Sequence, residues 1–96
     1  MSLPLEGLKV LAFEQYGAGP FGSQYLSDLG AEVIKIEPAG TDGDYLRALG
    51  PYFIDEERNS ASSIFFQALN RNKKSITLDI LSSEGKEILG NLVKTS

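Results

Sequence analysis

"LKVLAFEQYGAGPFGSQYLSDLGAEVIKIE", Leu8 to Glu37, is the stretch whose reading decides the fold. Its opening, Leu8 to Phe13, is a short apolar run rich in large aliphatics, as in a buried strand. Pro20 suits the first turn of a helix, where its missing N–H would have no partner anyway. From Pro20 onward Phe21, Tyr25, Leu26 and Leu29 recur at helical spacing, and Gly30 fits the left-handed position that ends a helix. "EVIKIE", Glu32 to Glu37, reads as a second strand. A strand, a one-helix crossover and another strand predict a right-handed βαβ unit in a parallel sheet.

Further along, "PAGTDGDYLRALGPYFIDEE" from Pro38 to Glu57 is rich in glycine and proline and reads as a long irregular excursion. At most one helical turn is expected in it, around Tyr45–Leu49. Long loops of this kind are usually functional covers or mobile segments. Asn59 or Ser60 can cap a second helix, with Ile64, Phe65, Ala68 and Leu69 on one face. "NRNKK" then makes a polar turn, in which Asn70 and Asn72 tolerate left-handed geometry. In "SITLDI" Ile76, Leu78 and Ile80 alternate with polar residues as a third strand. Ser82 or Ser83 caps a last helix, with Glu84 in its first turn, Lys94 near its end and Ile88, Leu89, Leu92 and Val93 as its apolar face. The expected order is β-α-β-loop-α-β-α, an α/β layered design. Parallel sheets rarely stop at three strands, so a continuation beyond Ser96 is expected.

The totals narrow the chemistry. The 96 residues make at most one small domain, and they include no cysteine and no histidine. Disulfides, thiol nucleophiles and imidazole acid–base catalysis are thereby excluded within this stretch, and no zinc-ligand pattern is present. A net charge of −4 does not favour nucleic acid or an anionic membrane as partner. No apolar run is long enough to span a bilayer, and the N-terminus lacks a signal-peptide pattern, so a cytoplasmic location is expected.

"GAGPFG", Gly17 to Gly22, matches the G-x-G-x-x-G dinucleotide fingerprint. In that fingerprint the first glycine ends the first strand, and the following helix aims its N–H groups at a pyrophosphate. Here Glu14, Gln15 and Tyr16 intervene after the apolar run, and Gly22 falls inside the helix. Glu14 also brings a carboxylate toward the supposed anion site. Small residues that let a helix approach a strand are the simpler reading, and a dinucleotide-binding module is kept as an alternative.

A second comparison covers nearly the whole chain. "LPLEGLKVLAFEQYGAGPFGSQYLSDLGAEVIKIEPAGTDGD", "YLRALGPYF", "FFQALNRNKKSITLDI" and "SSEGKEILGNLVK" follow one another as in class III CoA-transferases. The sequence resembles the opening of that family, which includes formyl-CoA and carnitine CoA-transferases and α-methylacyl-CoA racemases. The resemblance implies a Rossmann-like sheet without nicotinamide or flavin, an interlaced homodimer, and acyl-CoA and carboxylic acids as substrates. It implies no covalently bound cofactor, coenzyme A itself being part of the substrate. Transferases of this kind pass CoA through an aspartyl thioester, and racemases exchange the α-proton. Both use an aspartate further along the chain, so residues 1–96 are expected to be an N-terminal CoA-binding segment, inactive alone and without a catalytic residue or metal site of its own.

Carried over position by position, the resemblance implies that Gln15, Tyr16, Gly17 and Ala18 face the acyl-CoA thioester. Many members have an arginine where this chain has Pro38 and Ala39, and the closest loops often have glutamine at the place of Gly17. Arg47 stands at the family's "R…GP" arginine and is expected to be exposed without ligand. Arg71, Lys73 and Lys74 stand at the basic turn expected near the CoA phosphates, where ammonium and guanidinium groups form charge-assisted hydrogen bonds. Glu14 and Glu37 suggest a carboxylate acid–base pair, but carboxylates at strand ends commonly pair locally. Asp28 and Asp79 are expected on a helix surface and at a strand end. A non-catalytic interaction fragment is the remaining alternative.

Overall fold

The computed structural model describes residues 2–15, 17–40, 43, 44, 47, 49 and 63–96. Six elements follow in chain order: β1 (Lys9–Ala12), α1 (Ala18–Asp28), β2 (Glu32–Pro38), α2 (Ile64–Asn70), β3 (Lys74–Leu78) and α3 (Ser83–Lys94). Among the described residues the sheet runs β1-β2-β3 with both pairings parallel. The α/β order is the one expected from the sequence. The possible turn around Tyr45–Leu49 and the caps Asn59 and Ser60 fall largely or wholly outside the described residues.

Helix α1 begins at Ala18, two residues before the expected Pro20, because Gly17 serves as its N-cap. Its end is a Schellman motif, with Ala31 N–H donating to Leu26 O and Gly30 N–H to Ser27 O, both at 3.1 Å. Gly30 has φ of +106°, and a Cβ there would lie 2.5 Å from that of Leu3, so conformation and space both call for glycine. Of the fingerprint glycines only Gly19 is needed for close approach, since its Cβ would fall 2.9 Å from Glu14 Cβ. Nothing lies within 4 Å of a Cβ at Gly17 or Gly22. Since β1 stops at Ala12, the motif does not make the tight strand-end turn of a dinucleotide fold.

Helix α2 is capped by Ser63, whose Oγ accepts from Phe66 N–H at 3.3 Å. Its buried residues are Phe66 and Asn70, while Ile64 and Ala68 are exposed. The expected apolar face was therefore misplaced by one to two residues; the side chain of Phe65 lies outside the described residues. Asn72 is left-handed at φ 63°, as expected for the turn, but Asn70 ends the helix with its side chain buried. Strand β3 ends at Leu78, so Ile80 falls beyond it. Ser82 caps α3 by accepting from Gly85 N–H at 2.9 Å. From β3 this helix returns to the start of β1, where Lys9 Nζ donates to Thr95 Oγ1 at 3.1 Å. On α3 Leu89 and Leu92 are half-buried, whereas Ile88 and Val93 stay exposed.

Central strand β2 is buried on both sides from Val33 to Glu37. Successive strand residues point to opposite faces, and register partners in parallel strands share a face. Val33 joins Ala12 and Ala31 in a core over which Leu5, Val10 and Leu26 of α1 pack. Lys35 and Glu37 therefore share the face covered by α1. Ile34 and Ile36 point the other way, beside Leu11 and Ile76.

Candidate functional site

Beyond the C-terminal ends of the three strands lies an open cleft of about 440 Å³, lined by Phe13, Gln15, Ile36, Pro38, Leu78 and Ile80 among others. This is the edge at which open α/β sheets bind ligands, because loops diverge there. The side chains of Phe13 and Leu81 at its rim are well exposed, at 54% and 83%. Glu14 and Glu37 also border the cleft.

Neither glutamate is free. Glu14 accepts from Ser23 Oγ at 2.7 Å and from Lys73 Nζ at 2.9 Å, and the Lys73 and Glu14 side chains are only 2% and 7% exposed. Lys73 Nζ also donates to Pro20 O and Leu69 O at 2.9 Å and to Asn70 Oδ1 at 3.1 Å. Burial lowers the Lys73 pKa, with Glu14 opposing it through a hydrogen bond and its charge.

Glu37 is held by a second set of partners. Arg47 forks onto it, Nε to Oε1 at 2.8 Å and Nη2 to Oε2 at 2.7 Å. The Asp44 N–H donates to Oε1 at 2.8 Å, and Ser75 Oγ donates to Oε2. Burial is the strongest single influence and raises the Glu37 pKa. The hydrogen bonds from Arg47, Ser75 and Asp44 together outweigh it and bring the pKa down from 4.5 to about 2. The bond to Glu37 in turn raises the Arg47 pKa, against desolvation. With so low a pKa Glu37 is a poor proton carrier near neutrality, and Glu14 and Glu37 are each engaged in a separate ion pair and do not form an acid–base dyad.

Arg47 is thus not the exposed side chain expected from the sequence. It is mostly buried, and its guanidinium lies 4.0 Å from the centre of the Phe66 ring. Beside it Lys35 Nζ meets Asp44 Oδ2 at 2.5 Å and donates to Asn70 Oδ1 at 2.8 Å, with the lysine and aspartate 1% and 0% exposed. Lys35, Asp44 and Phe66 were missed in the sequence reading, and Asn70 was read only as a turn residue. The available signal was the run Val33, Lys35, Glu37 on one face, followed by a loop carrying the opposite charges of Asp44 and Arg47.

Of the candidate residues, Gln15 lies in the cleft. Gly17 caps α1 and Ala18 opens it with an exposed side chain, while Tyr16 lies outside the described residues. Arg71, Lys73 and Lys74 do not form one cationic surface. Arg71 pairs with Asp28 at 2.7 Å, Lys73 with Glu14, and Lys74 with Glu32 at 3.5 Å. The hydrogen bond from Gln24 is the largest influence lowering the Asp28 pKa, with Arg71 adding to it. Asp28 is on the helix surface as expected, and Asp79 at the strand end accepts from Leu81 N–H at 3.1 Å. Among the described residues no cluster of histidine, cysteine, aspartate or glutamate could hold a metal ion. No helix among them is long and apolar enough to cross a membrane.

The sequence profile of CoA-transferase family III matches residues 5–96. The chain belongs to CoA-transferase family III. Human succinyl-CoA:glutarate CoA-transferase is 45% identical over 89 residues, covering 93% of this chain and 19% of that protein. Formyl-CoA:oxalate CoA-transferase of Afipia carboxidovorans is 41% identical over 95 residues, covering 99% of this chain and 21% of that protein. A CaiB/BaiF family protein from Brucella suis superposes with a TM-score of 0.84 at 46% identity, over 97% of this chain and 24% of that one. The family III chain described here therefore spans about a fifth to a quarter of the length of these relatives.

Proposed function

We propose that this family III chain supplies the first CoA-binding strands of an acyl-CoA transferase that moves CoA between carboxylic acids. The match across residues 5–96 carries the reading. Similar proteins are named for glutarate, oxalate, D-citramalate and mesaconate, all dicarboxylic acids, and a dicarboxylate is the acceptor we assign. The thioester end of acyl-CoA lies in the cleft beyond the strand ends, with Gln15 as its polar contact and the apolar side chains of Phe13, Ile36 and Leu78 around the pantetheine arm. Pairing of Glu14 with Lys73 and of Glu37 with Arg47 supports this assignment, because neither carboxylate faces an anionic substrate uncompensated. Among the basic residues, Arg71 and Lys74 keep exposed side chains for phosphate, whereas Lys73 is enclosed.

In the reaction one thioester is broken and another made, with no net oxidation or reduction. CoA passes through an aspartyl thioester on a residue outside the 96 described by this sequence, in a homodimer. The test is an assay of the intact gene product with succinyl-CoA and a panel of mono- and dicarboxylates, following new CoA thioesters by mass. Transfer to a short dicarboxylate is expected. Exchange of the α-proton of a 2-methylacyl-CoA without any transfer would replace this reading with a racemase.

A further inference from the structure

We infer that the buried Lys73–Glu14 pair is a positioning device for the cleft, fixing the backbone that carries Gln15, so that Lys73 acts on a bound thioester through Glu14 and not by touching phosphate. The inference rests on the CoA reading above. Glu14 immediately precedes Gln15, in the stretch after β1 ends at Ala12 and before α1 begins at Ala18. Residues 13–15 of that stretch belong to no strand or helix, and the side chain of Glu14 is what ties them to α1 and α2.

Lys73 ties together three parts of the molecule. Its ammonium has oxygen partners within 3.1 Å on the β1–α1 connection (Glu14), in the first turn of α1 (Pro20) and at the end of α2 (Leu69 and Asn70). Ser23 of α1 holds the same Glu14 oxygen at 2.7 Å. The glycine at position 19 lets the helix close on Glu14, since a Cβ there would fall 2.9 Å from Glu14 Cβ. With Lys73 2% exposed, an incoming phosphate would have to displace buried partners to reach it. Arg71 and Lys74, in the same turn, are open to solvent.

Substrate truncation separates positioning from direct contact. The variants Lys73→Met, Lys73→Arg and Glu14→Gln are made in the intact gene product. KM and kcat are measured with an acyl-CoA and with the matching acyl-pantetheine, which lacks the nucleotide and its phosphates. Loss of positioning raises KM for both thioesters by the same factor, roughly tenfold to a hundredfold, since small displacements at a site are costly. Glu14→Gln follows the same pattern, and Lys73→Arg restores part of the loss. Amides of residues 13–19 exchange faster in unliganded Lys73→Met. A loss confined to the acyl-CoA, with acyl-pantetheine unaffected, would mean direct phosphate contact and overturn the inference. Because Lys73→Met leaves a buried carboxylate unpaired, the double variant Glu14→Gln with Lys73→Met is the control for folding. Wild-type KM values in that double variant would equally overturn the inference. Should the wild type bind neither thioester, the CoA reading falls, and the exchange rates alone then decide whether the pair orders residues 13–19.

Discussion

The two faces of β2 are equally buried and chemically opposite. On one, Ile34 and Ile36 sit beside Leu11 and Ile76 in an aliphatic layer. On the other, Val33 gives way to Lys35 and Glu37, which meet Asp44, Arg47, Asn70 and Ser75. Aliphatic layers favour burial without specifying a partner, since a Leu or Val from several directions would serve. A buried ion pair adds little net stability over an apolar replacement, yet leaving half of it alone is strongly unfavourable. The charged face therefore accepts only a loop that brings an acid at 44 and a guanidinium at 47 to the right places. Burial on one face stabilises the sheet, and on the other it selects what lies over it.

That contrast can be broken at its strongest point. Asp44→Ala takes the carboxylate from a buried Lys35 that keeps Asn70 and the Phe66 ring as neighbours, and a loss of about 3–5 kcal/mol is expected on chemical denaturation. A loss below about 1 kcal/mol would mean that water reaches Lys35 and that the charged face is not sealed. Next comes acid. Glu37 has its pKa lowered from 4.5 to about 2, so its contribution is fully present above pH 4.5 and disappears as pH falls toward 2. Denaturation midpoints measured across that window should fall in the wild type and fall less in Glu37→Gln. The smallest effect belongs to the aliphatic face. Ile36→Val removes one methylene, and about 1 kcal/mol is expected, without change in the pH dependence.

Much of this arrangement was legible in the one-dimensional pattern. The apolar runs placed three parallel strands, Gly30 marked the end of α1 by its left-handed backbone, and Ser82 marked the start of α3. These are local features, decided by a few neighbouring residues. The charged face was not legible, because Lys35 and Asp44 are joined by folding of the chain across the sheet. A lysine in "EVIKIE" looks the same whether it faces water or an aspartate. Ser63 escaped notice for a related reason, since several serines precede α2 and only tertiary packing decides among them. The three basic residues from Arg71 to Lys74 looked like one anion site through sequence proximity, yet their side chains diverge to Asp28, Glu14 and Glu32. Gln15 lines the cleft, because a residue just past a strand end has few other places to go.

Ser63 has one more consequence. Its N–H donates to Arg47 O at 3.1 Å and its Oγ to Leu49 O at 2.7 Å, so positions 47 and 49 are fastened directly to the start of α2. Once two ends are fastened, length between them matters little: doubling a closed segment costs only about 0.6 kcal/mol in chain entropy. Adding a few residues between positions 49 and 63 is therefore expected to leave the denaturation midpoint nearly unchanged.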